Sequence, residues 1–171
     1  MQIEKALAIM SGSLIGHPAA LDWLEKNQNI FNLSLSIGAG EQTNKALKAA
    51  GFEIKFCPLG RIVDSDRELD ICQKVAIKNK LFVHGLLKKR GIKVRILTPF
   101  DKSDGRVLVP LNGDLAMFSK YGGYDKIFRL TTEDRVKEKE ALKKGMVLLF
   151  APLAKGCKVD IDLKKIQIIG F

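Results

Sequence analysis

Hydrophobic and polar positions fall in blocks along the chain, and the blocks change period in a regular order. Ala6–Met10 (ALAIM) is a short apolar run closed by Ser11-Gly12-Ser13, which predicts a buried strand followed by a tight loop. Pro18 then opens a segment with Ala20, Leu21 and Leu24 at helical spacing; proline fits the first helical turn because no N–H is needed there. Leu33–Ile37 (LSLSI) predicts a second strand running into Gly38-Ala39-Gly40, and Glu41–Ala50 a second helix stopped by Gly51. Glu53–Phe56 reads as a short third strand before a turn at Pro58-Leu59-Gly60. Ser65–Arg90 is the longest helical stretch: Ser65 and Glu68 have capping-box spacing, Leu69, Cys72, Val75 and Ala76 trace an apolar face, and Asn79 marks a point where the helix is open to a break.

Beyond it, Ile92–Leu97 predicts a strand, and a polar loop from Pro99 to Gly105 returns through Val107–Val109. Asn112–Tyr121 reads as a helix, Lys126–Leu130 as a strand and Glu133–Lys143 as a charged helix, with Val147–Ala151 and Ile166–Ile169 as further apolar strands. Strands alternating with helices across glycine-rich junctions predict an α/β fold, a three-layer αβα sandwich around a mainly parallel sheet. With no linker, repeat or low-complexity segment, residues 1–171 are expected to form one domain.

Composition narrows the function classes. Uninterrupted apolar runs of only five to seven residues exclude a membrane-spanning helix, and the first residues are too polar for a signal peptide. Three scattered cysteines and two histidines are too few for a disulfide framework or a Cys/His zinc site, so a reducing cytoplasm is the expected address. The net charge of +10 raises the question of nucleic acid. Of 29 basic residues, 22 are Lys and 7 Arg, dispersed and without interleaved aromatics, which argues for a solvated Lys-rich surface and against a nucleic-acid module. A small anionic metabolite or a nucleotide is the partner that fits, and self-association as a homo-oligomer is open; the helix faces around Ala19–Trp23 and Leu81–Leu87 read first as core and second as interface.

Ligands of open parallel sheets collect at the carboxyl ends of the strands. Two such ends, Ser11-Gly12-Ser13 and Gly38-Ala39-Gly40, are glycine-rich, so the backbone can approach an anion and the following helix offers free N–H groups. Gly38 and Gly40 supply the first part of a GxGxxG pattern, but Thr43 stands at its third glycine. GxxxxGK[ST] and GxSxG are both absent, which excludes a Walker nucleotide loop and a nucleophile elbow.

The ordered series AIMSGSLI, SIGAGEQTNKALKAAGFEIKF and GRIVDSDRELDICQKVA, followed by Leu111-Asn112-Gly113-Asp114 and Ile127–Thr132, resembles the amino acid kinase superfamily over residues 5–135, with the middle portion most similar to acetylglutamate kinases. The resemblance implies ATP and Mg²⁺ as cofactors. It also implies that Gly12, Ser13, Gly38, Gly40, Thr131 and Thr132 contact phosphates or nucleotide, that Arg61 and Asn112 bind substrate, and that Asp114 is catalytic. The chain departs from the family pattern where charge is handled. Ile9 stands where the family has a lysine, Ser11 replaces a glycine of the first loop, Ala39 the middle glycine of the second, and Pro110 a substrate-binding asparagine. The loop Thr132-Glu133-Asp134-Arg135-Val136 has no glycine, and only about 40 residues follow that strand. Two readings stand side by side: an ATP-dependent phosphotransferase acting on a carboxylate or phosphate, and a non-catalytic metabolite-binding or assembly subunit.

Overall fold

The computed structural model describes residues 3–57, 60–97, 123–141, 143 and 163–171. In chain order these form β1 (Lys5–Met10), α1 (Pro18–Asn27), β2 (Asn32–Ile37), α2 (Gly40–Ala49), β3 (Phe56–Cys57), β4 (Gly60–Arg61), α3 (Asp66–Lys89), β5 (Arg95–Leu97), β6 (Lys126–Thr131), a helix α4 over 136–141, and β7 (Ile166–Gly170). Five strands make one sheet in the order β5-β2-β1-β6-β7. All four pairings are parallel. Helices flank this sheet, and the architecture is the three-layer αβα sandwich that the alternation predicts.

Parallel strands bury both faces, and here the two faces differ. Ala6, Ala8 and Met10 of β1, Leu33, Leu35 and Ile37 of β2, and Phe128 and Leu130 of β6 point to one side. They meet Ala20, Leu21 and Leu24 of α1 and Val83 and Leu87 of α3. Trp23 stands edge-on to Phe128, with ring centroids 5.0 Å apart. A leucine such as Leu24 or Leu35, fully removed from water, contributes about 1.5–3 kcal/mol, so this layer is the main source of stability. The other face carries Leu7, Ile9, Ser34, Ser36, Ile127, Arg129 and Thr131, and Lys143, also helical, donates to the carbonyl of Ile166 at 2.7 Å.

The long helix forms as the sequence predicts, with two refinements. Ser65 caps it by accepting from the Glu68 N–H at 3.3 Å, while the Glu68 carboxylate accepts from the Ser65 hydroxyl at 2.8 Å and the Asp64 N–H at 3.0 Å. The reciprocal half of the box is therefore displaced by one residue. No break occurs at Asn79, and α3 runs unbroken from Asp66 to Lys89. Its first half packs Cys72 against Leu47 and Val63 in a second, smaller cluster, and its last turns enter the main core. Arg90 then ties this end to α1, donating to Asp22 at 2.5 Å and Glu25 at 2.7 Å. Ile77, Leu81 and Phe82 lie on the outer side of α3, each more than half exposed.

The third strand is shifted relative to expectation. Glu53–Lys55 are not in a strand; Phe56–Cys57 pairs antiparallel with Gly60–Arg61 in a hairpin separate from the main sheet. The charged helix predicted at Glu133 begins instead as a 3-10 turn, Glu133–Arg135. Val107–Val109, Asn112–Tyr121 and Val147–Ala151 lie outside the described residues. Among the described residues no helix is long and apolar enough to cross a membrane.

Candidate anion site at the carboxyl edge

Gly12 and Gly38 meet backbone to backbone. A Cβ on Gly12 would lie 2.7 Å from Gln42 Oε1 and 2.8 Å from the Gly38 carbonyl oxygen, and one on Gly38 would lie 3.1 Å from the Gly12 nitrogen. Both glycines are thus required by the contact between the two loops. Gln42 fastens it, donating through Nε2 to the Gly12 carbonyl at 3.1 Å. The Gly38 N–H is spent on the Met10 carbonyl at 2.7 Å, so it is not among the donors open to a ligand. Gly12 and Ser13 belong to a 3-10 turn, Gly12–Leu14, with Ser13 exposed.

Gly40 differs from the other two. No atom lies within 4 Å of where its Cβ would stand, so the start of α2 is open on that side. The first helical bond of α2 runs from the Thr43 N–H to the Ala39 carbonyl at 2.8 Å. The N–H groups of residues 39–42 precede it, and the cap residue, Ala39, has no side chain able to satisfy them. They and the helix dipole leave partial positive charge here. Glu41, the acidic residue of this turn, is exposed and pairs with Lys45 at 2.9 Å.

Arg61 reaches the first turn of α2 from β4. It is only 6% exposed. Its guanidinium donates to Asn44 Oδ1 and, at 3.1 Å, to the Gly40 carbonyl, and it lies 5.0 Å from the Phe56 ring centroid. Every one of these partners is neutral. Burial pushes the guanidinium pKa down, whereas burial pushes the neighbouring Cys72 thiol up. A buried cation ordinarily has a counter-charge; among the described residues Arg61 has none.

The remaining expected site residues are more dispersed. Thr131 is fully buried, and its Oγ1 accepts from the Ser11 hydroxyl at 3.4 Å, closing β1 onto β6. Thr132 is partly buried and its carbonyl accepts from the Arg135 N–H at 3.0 Å. Asn112 and Asp114 lie outside the described residues. Among the described residues no group of three or more His, Cys, Asp or Glu could hold a metal ion.

Sequence reasoning missed Arg129 and Lys139. Arg129 sits in β6 beside Ile9 of β1 and donates through Nη1 to the Ile9 carbonyl at 3.1 Å. Lys139 of α4 is 8% exposed and donates to Glu138 at 3.2 Å, while Arg135 grips the same carboxylate at 2.8 and 2.9 Å. The available signal was a charged residue in the middle of an apolar strand, KIFRLT.

Arg135 holds the Glu138 carboxyl down to about 2, well below its ordinary 4.5. A depressed carboxylate stabilises the folded state above its unfolded pKa, and the contribution disappears as pH falls through the folded value. The pair should therefore lose its contribution between about pH 4.5 and 2. Because Glu138 is about half exposed, the loss should be about 1 kcal/mol or less. Urea titrations of wild type and Glu138→Gln across that range check this; a difference that stays constant with pH would be the contrary result.

No family model and no curated protein sequence matches the chain. Among solved structures, the fold is similar to that of N-acetylglutamate synthase from Neisseria gonorrhoeae, determined in complex with coenzyme A and L-arginine. The TM-score is 0.63 at 13% sequence identity, over 98% of this chain and 56% of that one. The likeness is one of fold, and this chain spans little more than half the length of its neighbour.

Proposed function

We propose that this protein binds a small anionic metabolite at the start of α2, with Arg61 as its principal cation, and that it acts as a binding or assembly unit. The observation that carries this reading is Arg61 itself: a buried guanidinium with only neutral partners among the described residues, held against the first turn of α2, whose leading N–H groups the cap residue leaves unsatisfied. A carboxylate or phosphate there would supply the missing counter-charge and accept several hydrogen bonds at once. The N-acetylglutamate synthase fold and its bound metabolites are compatible with a small-molecule ligand.

Membership of the amino acid kinase superfamily is part of the same proposal, supported by the ordered motifs and the αβα fold. ATP-dependent phosphotransfer with Mg²⁺ is the second reading, and that motif series favours it. Against it stands Ile9, which cannot neutralise charge on a transferring phosphoryl group. A nucleic-acid surface has less support. Lys45, Lys55, Lys74, Lys126 and Arg90 each pair with a nearby carboxylate, which breaks up the positive field. The homo-oligomer reading rests on the exposed Ile77, Leu81 and Phe82 of α3, and light scattering reads it directly.

The test is thermal unfolding with glutamate, inorganic phosphate, ADP or ATP–Mg²⁺, alongside a turnover assay. A ligand at a hundred times its Kd stabilises by about 2.7 kcal/mol, readily seen in a melting curve. Stabilisation without turnover is expected. No shift with any of these probes at millimolar concentration would sink the binding reading, and metabolite-dependent ADP release would move the assignment to phosphotransfer.

A further inference from the structure

The chemistry of α3 changes along its length. Asp66, Glu68 and Asp70 crowd its first turns, whereas between Ile71 and Lys89 there are five lysines and no carboxylate. Lys74, Ile77, Lys78, Leu81 and Phe82 are linked by steps of three and four and so share one face; Lys88 and Lys89 follow Leu81 and Phe82 by seven and extend it. All seven are exposed. Cys72, Val83 and Leu87 point the opposite way, into the two clusters of the core. Lys74 holds Asp70 at 2.6 Å, and at the far end of the helix Arg90 holds the carboxylates of Asp22 and Glu25. Lys78, Lys88 and Lys89 carry a positive field over the rest of the face, around three large apolar side chains that are each more than half exposed.

An apolar cluster in the middle of a basic face calls for an occupant that answers both. A second copy of the chain, the occupant in the homo-oligomer reading, answers the apolar half alone. Crossing two copies antiparallel at Leu81 sets Lys74 of each against Lys88 of the other, and a parallel crossing sets each lysine against itself. A stable protein interface also takes about 800 Å² from each side. Three side chains already partly covered by the fold supply a small part of that. Nucleic acid would answer the lysines and leave Ile77 and Leu81 against phosphate. An anionic bilayer surface answers both: lysine stems lie along the apolar boundary with their ammonium groups among the headgroups, and apolar side chains enter between them. It demands no matching shape, so a small patch suffices.

We propose that the outer face of α3 docks the protein on an anionic lipid bilayer, with Ile77, Leu81 and Phe82 entering the headgroup boundary and Lys78, Lys88 and Lys89 meeting lipid phosphates. The helix lies along the surface and does not cross it; among the described residues no helix is long and apolar enough to do so. From Ile77 to Lys89 the face runs about 18 Å, enough to meet several headgroups. The surface goes beyond the α2 reading: Gly40, Asn44 and Arg61 take no part in it, and either can fail without the other.

The experiment is co-sedimentation of the full chain with vesicles of phosphatidylcholine alone and of phosphatidylcholine with about 30% phosphatidylglycerol, at about 0.1 M salt. The variants are Leu81→Ser with Phe82→Ser, and Lys78→Gln with Lys89→Gln; all four positions are exposed, so the fold is kept. Wild type should bind the anionic vesicles at least about 10-fold more tightly than the neutral ones, and each double variant should weaken that binding roughly 10- to 30-fold. A Phe82→Trp variant should shift its emission to the blue on the anionic vesicles relative to wild type, Trp23 being common to both. No binding to the anionic vesicles, equal binding to both kinds, or binding that the double variants leave unchanged overturns the proposal. Loss in the lysine variant alone, with no blue shift, also overturns it, because the apolar side chains then stay in water. A dimer in light scattering that Leu81→Ser with Phe82→Ser dissolves gives the face to a second copy and overturns it as well.

Discussion

Gly12→Ala is expected to destabilise the protein by about 1–3 kcal/mol, the usual cost of forcing atoms into a packed site. The added methyl would meet Gln42 Oε1 at 2.7 Å and the Gly38 carbonyl oxygen at 2.8 Å. The glutamine end can swing aside. The carbonyl cannot, because the Gly38 N–H is tied to the Met10 carbonyl of β1. Gln42→Ala in the same chain should therefore relieve only part of the loss. Gly40→Ala is the matched control, with open space around the new methyl and a change of no more than about 0.5–1 kcal/mol, in the stabilising direction. Denaturant midpoints compare the three variants, and equal behaviour of Gly12→Ala and Gly40→Ala would refute the loop-to-loop contact.

Arg61→Met should separate stability from binding. Replacing a buried cation by an apolar chain of similar size often leaves stability unchanged or raises it. Here Asn44 Oδ1 and the Gly40 carbonyl lose a donor, at about 1–3 kcal/mol for each that stays dry. Gly40 is an exposed residue, so water can replace the guanidinium at its carbonyl. The net change should be within about 2 kcal/mol. Affinity for an acidic ligand such as glutamate should fall roughly 10- to 100-fold, the worth of a charge-assisted hydrogen bond. Arg61→Lys keeps the charge without the fork and should fall between the two. Unfolding of the unliganded protein and calorimetric titration supply the two readouts. Severe destabilisation with unchanged affinity would make Arg61 a fastener of the hairpin and nothing more.

Local chemistry made much of the fold legible. Pro18 marks the first turn of α1, and Ser65 with Glu68 marks the start of α3. Gly51 and Gly91 follow α2 and α3 in left-handed conformation, with φ of +84° and +69°. The hairpin was harder to place, because two-residue strands have no periodicity to read and depend on tertiary pairing. At the site, glycine patterns located the loops but not their use. Gly12 and Gly38 face each other, and only Gly40 faces open space. Arg61 could be picked out from the motif that carries it, whereas its neutral surroundings depend on Asn44 and Phe56, which only folding brings to it. Lys139 was invisible because a lysine on a short charged helix looks like solvent-facing sequence, yet in the fold it is only 8% exposed.

The unbroken course of α3 gives the molecule a mechanical property. Its 24 residues form a rod about 36 Å long, clamped near one end by Leu47 and Val63 through Cys72 and near the other by the main core through Val83 and Leu87. A helix without a proline kink does not absorb displacement along its length. The hairpin that bears Arg61 rests on the first clamp, and Arg90 at the far end grips α1. A shift of Arg61 toward a bound anion would thus be felt as a tilt where Arg90 meets α1, on the same side of the sheet.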